Sequence, residues 1–181
     1  MKILVLNCRI YSIEYEVFEM IAKSDGSDGY NELELCRGVL EHIGFEQSML
    51  THIKKDKTLS IAEPILDHKK GLEFIISIIT NPKYDGCIKG KEDIDAIGHR
   101  VIHGGWTFTS PIIVDDCVKK EIYKDFELAP LHNPYNLRGI EASELYFRGK
   151  KNIAVFATSF HQTMPKVAYI YALPERLCRE Y

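Results

Sequence analysis

The run Ile3-Leu4-Val5-Leu6 is apolar without alternation, the pattern of a strand in the middle of a sheet, covered on both faces. Such a strand needs neighbours on either side, and the following segments supply them. Tyr15 to Met20 reads as a returning strand, and Leu33 to Leu40 and Ser48 to Ile53 read as further, more exposed strands. A helix is predicted next: Asp67 is a ready N-cap, Leu72, Ile75, Ile76 and Ile79 fall at helical spacing, and Asn81-Pro82 ends the pattern. Two more buried strands are predicted at Ile94 to Val101 and Asn152 to Phe156, with helices between them at Asp115 to Phe126 and Asn133 to Arg148. The second of these helices has Asn133 as its expected cap, Pro134 at its first helical position and Gly149 past its end. Strands grouped early, then strands alternating with helices, specify an α/β fold with a mixed sheet, antiparallel toward one edge and parallel at its centre. The Ser-Asp-Gly-Ser-Asp-Gly stretch within Lys23 to Tyr30 is expected to be a surface loop.

Composition removes several function classes. The 181 residues are 45% hydrophobic and 27% charged, enough for one sizeable core. Basic residues number 23 against 26 acidic ones, for a formal charge of −3. That balance lacks the electrostatic footprint of a nucleic-acid-binding protein. The longest apolar stretches, such as Phe74 to Ile79, fall far short of the ~18 residues of a membrane helix, so neither export nor membrane anchoring is expected. The five cysteines are an odd number, scattered and without a C-x-x-C pair. They predict no disulfide framework, no zinc site and a reducing, cytoplasmic setting.

Generic motif chemistry fails at Gly86 to Lys91, which is one residue short of a phosphate loop and is followed by Glu92 where a magnesium-binding hydroxyl is needed. No G-x-G-x-x-G follows a strand, and no H-E-x-x-H occurs. A denser pattern is Gly98-His99-Arg100-Val101-Ile102-His103-Gly104-Gly105, which places a guanidinium and imidazoles at the end of a buried strand, where open α/β sheets bind ligands. The forked donors of Arg100 suit carboxylate or phosphoryl oxygens. Alone, the octapeptide would read as a turn carrying a surface arginine. Two further segments join it: Leu128 to Pro134, with His132 just ahead of a helix N-terminus, and Val155 to Pro165 after the last strand.

Together with Asn7-Cys8 after the first strand and Ala168 to Pro174 near the C-terminus, these segments closely resemble the N-terminal half of the acetate kinase family. The resemblance implies one lobe of the actin, hexokinase and Hsp70 type of ATPase fold, of the ribonuclease H-like kind. It implies reversible transfer of the ATP γ-phosphoryl group to acetate, with ATP and magnesium as cofactors and a homodimeric enzyme. It puts Arg100 at the position that holds the substrate carboxylate and the phosphoryl group in flight, and Asn7 at the magnesium-associated position. Ile102 and Leu131 fall in the small apolar pocket for the acid's methyl group, and Ser12 falls among the phosphate-binding residues. An arginine on a transferring phosphoryl group contributes about 10³ to 10⁵ in rate. His132 and His161 lie in matching motifs, with substrate contact and ordering of the loop both open as roles. Acetate and another short acid such as propionate fit the same two apolar residues.

The chain also departs from the family pattern. Where members continue from Asn-Cys into Gly-Ser-Ser-Ser and a lysine, this chain reads Arg9-Ile10-Tyr11-Ser12-Ile13-Glu14. Only Ser12 is retained, Ile10 and Tyr11 are expected to bring bulk into the phosphate turn, and Glu14 reverses a charge. A carboxylate ~4 Å from a phosphate oxygen, at an effective dielectric of ~20, is repelled by about 4 kcal/mol per unit charge. Ala157 stands where the family carries the Asp of its Phe-Asp-Thr motif, and a methyl group can neither carry a proton nor position a cation. Residues 1–156 are expected to form the lobe and 157–181 to begin the crossover to a second lobe, in a chain about half the family's length. Two readings follow: the N-terminal domain of an acetate kinase-type phosphotransferase with little turnover by itself, or a degenerate, truncated, non-catalytic lobe that binds or oligomerises. Either would leave apolar surface exposed, so a homo-oligomer is expected.

Overall fold

The computed structural model describes residues 1–23, 28–170, 172–174 and 176–177. Eight strands form one sheet: β1 (Lys2–Arg9), β2 (Ser12–Ala22), β3 (Tyr30–Glu41), β4 (Ser48–Lys54), β5 (Lys57–Glu63), β6 (Ala96–Val101), β7 (Ile112–Ile113) and β8 (Lys151–Phe156). Their order across the sheet is β5-β4-β3-β2-β1-β6-β8-β7. The strands from β1 to β5 pair antiparallel, β6 runs parallel to both β1 and β8, and β7 caps β8 antiparallel. This is the expected mixed sheet, parallel at its centre. Residues 24–27 of the predicted Ser/Asp/Gly loop lie outside the described residues.

Helices α1 (His68–Ile79), α2 (Asp116–Lys124) and α3 (Asn133–Tyr146) carry the covering layer, and a short α4 (Lys166–Tyr169) follows a 3-10 segment at Ala157–Thr163. Asp67 caps α1 as predicted, accepting from the Lys70 backbone N–H at 2.8 Å, and Asp115 caps α2 by accepting from that of Val118 at 2.8 Å. The alternate residues Leu4, Leu6 and Cys8 of β1, Ile13, Tyr15 and Val17 of β2, and Ile97 and Val101 of β6 are buried beneath these helices. Each large aliphatic side chain so covered stabilises the fold by about 1.5–3 kcal/mol. Ile3 and Val5, by contrast, are only half-buried. The expectation that β1 is covered on both faces is therefore corrected: the described helices pack on one face and leave the other open.

Three more readings are corrected. Strands β5 and β7 were not predicted; β5 is an edge strand whose Leu59 and Ile61 alternate with polar residues, and that short period-two signal is diluted by Lys57, Thr58 and Ser60. The cap of α3 is His132, not Asn133, which lies one residue inside the helix and is fully buried. Cys36 on β3 and Cys87 after α1 form a disulfide with Cα atoms 6.1 Å apart, against the expectation of none. Their separation of 51 residues held no sign that the two segments meet.

A polar network lies in the core where α3 crosses β6 and β8. His99 Nε2 is 2.9 Å from Asn152 Oδ1 and 3.1 Å from Ser143 Oγ, and the Ser143 hydroxyl also reaches Asn152 Oδ1 and the Ile140 carbonyl. Burial pulls the His99 pKa down to about 4, and the neutral ring donates to Asn152 from Nε2. His52 and His68 are lowered by burial as well.

Because the folded pKa of His99 lies below its unfolded value, the unfolded chain takes up the proton first, and stability falls as pH drops from about 6.5 toward 4. At pH 5 the loss from His99 alone is expected to be about 2 kcal/mol. Urea midpoints measured from pH 7.5 to 5, above the range in which most carboxylates titrate, should show it; a flat profile would exclude a neutral buried His99.

Candidate active site

The site is assembled by α3. Asn136, buried in its first turns, accepts from the Ile102 backbone N–H at 3.1 Å and donates to the Cys8 carbonyl at 2.6 Å. Asn133 accepts from the His103 backbone N–H at 3.1 Å and donates back to the His103 carbonyl at 2.9 Å. Thr158 closes the group: its hydroxyl accepts from the Gly104 N–H at 3.2 Å, and its own N–H donates to the Ile102 carbonyl at 3.3 Å. The segments around Cys8, residues 98–105, residues 128–134 and residues 156–165 thus meet at the C-terminal ends of β1, β6 and β8. Asn133 and Asn136 were not among the predicted site residues. In sequence Asn133 reads only as a cap, and two carboxamides three residues apart at a helix start are the available signal.

Close backbone approach makes the assembly possible. A Cβ at Gly139 would overlap Cys8 Sγ, so α3 can lie on β1 only with glycine there. Burial pushes the Cys8 thiol up to about 12, which keeps it protonated and inert. Gly105 has φ +58, a left-handed value that favours glycine, and it turns the loop after β6 so that its N–H donates to His103 Nδ1 at 2.9 Å.

On the open face of the sheet the alternation of β1, β2 and β6 lines up Asn7 and Arg9, Ser12 and Glu14, and Arg100. Arg100 is exposed, opposite Val155 of β8, and among the described residues it forms no ion pair. Arg9 and Asn7 instead converge on Glu14. Asn7 Nδ2 donates to Glu14 Oε2 at 2.7 Å, and the Arg9 guanidinium lies 2.9 Å from Oε1 and 3.1 Å from Oε2. The Arg9 carbonyl accepts from buried His68 Nε2 at 2.6 Å, which fixes the hairpin backbone beneath the pair. Tyr11, expected to fill the turn, lays its ring edge-on against Phe45, with centroids 5.1 Å apart.

The other predicted residues are spread around this centre. Ile102 is half-buried beside the Asn136 anchor, while Leu131 is 63% exposed and His132 is exposed at the start of α3, its side chain making no capping bond. Ala157, half-buried, opens the 3-10 segment directly after β8, and His161 is exposed with its ring edge-on to Phe160. Beyond Thr158 a cavity of about 270 Å³ is lined by His103, Trp106, His161, Gln162 and Met164 among others.

Magnesium tests poorly against these residues. Asn7 Oδ1 is buried without a partner and could serve as one hard oxygen donor. The adjacent carboxylate of Glu14 is already committed to Asn7 and Arg9. Among the described residues no group of three or more His, Cys, Asp or Glu side chains converges to hold a metal. The described residues do not fit a metal held by this lobe alone.

The sequence model of the Acetokinase family matches residues 2–181. An acetate kinase of Finegoldia magna is 44% identical over 181 residues, covering 100% of this chain and 44% of that protein. One from Caldicellulosiruptor saccharolyticus is 42% identical over 181 residues, covering 100% of this chain and 43% of its own length. Among solved structures, Porphyromonas gingivalis acetate kinase superposes with a TM-score of 0.85 at 36% identity, covering 99% of this chain and 43% of that one. A propionate kinase from Francisella tularensis gives 0.79 at 29% identity, with 99% and 42% covered. The chain spans less than half the length of the curated relatives it matches. Its sheet and helices are those of the actin and hexokinase type of lobe found in these kinases. Agreement of both sequence and backbone along nearly the whole chain establishes that it belongs to the acetokinase family.

Proposed function

We propose that this chain supplies the acid-binding half of an acetate kinase-type site, where a short carboxylate and a phosphoryl group meet at Arg100, and that the chain by itself turns over little or not at all. The observation that carries the reading is an exposed guanidinium without an ion-pair partner among the described residues, at the C-terminal end of a central parallel strand, beside loops locked by Asn133 and Asn136. A fork of donors in that position matches a carboxylate or phosphoryl group bidentately. Ile102 and Leu131 offer apolar contact for a methyl or ethyl group, and His132 and Ser12 are the additional polar groups within the reading. ATP and magnesium belong to it as the phosphoryl donor and its counter-ion, and a cytoplasmic setting goes with these soluble reactants. Residues 1–156 act as the lobe, and 157–181 lead toward a second one.

Ala157 supports the silence of the chain alone, because its methyl group can supply neither a proton nor a negative charge to the reacting centre. Hydroxamate trapping of acyl phosphate with ATP, magnesium and acetate or propionate is expected to read no more than the buffer blank; clear turnover would overturn the silent part of the proposal. Calorimetry with inorganic phosphate should detect a weak site that disappears in Arg100→Ala. Phosphate binding unchanged by that substitution would remove Arg100 from the site.

A second reading, a lobe that associates, is favoured by apolar side chains left in solvent around the last loops. Trp106 is 92% exposed, Phe160 83% and Val167 89%, a concentration that commonly marks an association surface. Light scattering is expected to give dimers or larger assemblies, and a monomer at high concentration would refute it.

Asn136→Ala should destabilise the chain by about 1–3 kcal/mol, because it strands the Ile102 N–H and the Cys8 carbonyl in a buried setting. It should also weaken phosphate binding, because Asn136 holds the backbone two residues after Arg100. Chemical denaturation and the same calorimetry measure both, and wild-type stability in this variant would show that the stitch does not hold the site.

A further inference from the structure

A cleft of about 620 Å³ opens between α1 and the end of α3, lined by five basic side chains and two acidic ones among others. The basic groups come from three separate stretches of chain. Lys69 and Lys70 stand on the first turn of α1, Lys91 on the 3-10 turn Lys91–Asp93 ahead of β6, and Arg148 and Lys150 in the loop between α3 and β8. This gathering is not a by-product of composition, because the chain as a whole carries a formal charge of −3. The two acids do not balance it. Glu73 is engaged by Lys70 Nζ at 2.8 Å and by the Tyr146 hydroxyl, which donates to it at 3.3 Å. Glu92 folds its carboxylate back toward Gly90, where a Cβ would stand 2.7 Å from Oε2, and its backbone carbonyl accepts from Lys150 Nζ at 3.0 Å. Lys69, Lys91 and Arg148 form no ion pair among the described residues.

Cations that converge without counter-charges repel one another, and a cleft focuses their field on an anion that enters it. We propose that this cleft binds a small polyanion, a molecule carrying several phosphate or carboxylate groups, through Lys69, Lys91 and Arg148. Its volume falls within the ~300–1,000 Å³ of small-molecule sites. Three cations on three different elements match a ligand whose charges are spread along it, where a single carboxylate or phosphate would engage only part of the set. The Arg148 fork takes two anionic oxygens at once, and the ammonium groups act as point charges. The site is distinct from the Arg100 centre: Lys91 precedes β6 and Arg148 precedes β8, so the cleft lies by the starts of these parallel strands, whereas Arg100 stands near the end of β6. From Ala96 to Arg100 the strand alone spans about 13 Å, at ~3.3 Å per residue. A polyanion held in the cleft ties α1 and the turn ahead of β6 to the end of α3, and it stabilises the lobe by binding the folded state. The inference goes beyond the proposed function, because it uses none of the residues assigned to that site and is read by binding alone.

The test is calorimetric titration of inorganic tripolyphosphate and, in a separate arm, tricarballylate into the full chain, with circular dichroism melting as a second readout. At least one of the two should bind and raise the melting temperature, and the arm that responds identifies phosphate or carboxylate as the group preferred; binding in neither arm overturns the proposal. Replacing two exposed cleft residues, in Lys91→Ala/Arg148→Ala, should weaken that binding at least tenfold. Lys57→Ala/Lys83→Ala removes the same charge from the exposed surface near β5 and should leave affinity within twofold. An equal loss in both double variants would reduce the effect to general attraction and overturn the site. Arg100→Ala should also leave the affinity unchanged; binding that it abolishes and the cleft variant keeps would place the polyanion at Arg100 and refute the cleft. Should Lys91→Ala/Arg148→Ala fold poorly, the single variant Lys69→Ala on the exposed side of α1 must weaken binding in the same direction, or the proposal falls. Loss of inorganic phosphate binding in Arg100→Ala reports on the other site, so the two proposals fail separately.

Discussion

The site depends on the satisfaction of backbone groups where parallel strands end. When β1 and β6 stop, the Cys8 carbonyl and the N–H groups of Ile102 and His103 lose their sheet partners in a place shielded from water. Each such group left alone costs about 1–3 kcal/mol. Asn133 and Asn136 meet these needs from one helix, and in doing so they dictate how the loop after β6 leaves the sheet. Asn136 ties the end of β1 to the end of β6, and Asn133 holds the residue that follows.

Beneath that layer, α3 is an unusual covering helix. It buries polar residues as well as apolar ones, including Asn133, Asn136 and Ser143, and Gly139 lets it lie directly on Cys8. Its hydrogen bonds to β6 and β8 through Ser143, His99 and Asn152 specify one register, where a purely apolar surface would tolerate several. A neutral histidine is part of that specification, since a charged ring in this position would have no counter-ion.

Two of the arginines on the open face are in contrasting states. Arg9 is neutralised within its hairpin by Glu14, while Arg100, on the neighbouring parallel strand, has no carboxylate beside it among the described residues. Read along the chain, the Glu14 carboxylate looks like simple repulsion of phosphate. In three dimensions it is accompanied by Arg9 and becomes part of a local ion pair.

Much of the architecture was legible because it rests on local signals. Buried apolar runs mark β1, β6 and β8, Asp67 and Asp115 mark helix starts, and the spacing of Leu72, Ile75 and Ile79 marks the buried side of α1. The motifs around Arg100, His132 and Thr158 revealed the family for the same reason: residue type and order survive in a linear string. What the string could not carry is any relation between distant segments. The disulfide of Cys36 with Cys87, the carboxamide bridges of α3 to residues 8, 102 and 103, the open face of β1, and the pairing of Arg9 with Glu14 all arise from sheet order and side-chain direction. Sequence by itself determined the fold class, the family and the chemical identity of the candidate groups, whereas tertiary structure decided which of those groups face one another, because hydrogen bonds and ion pairs act over a few ångströms of space regardless of separation along the chain.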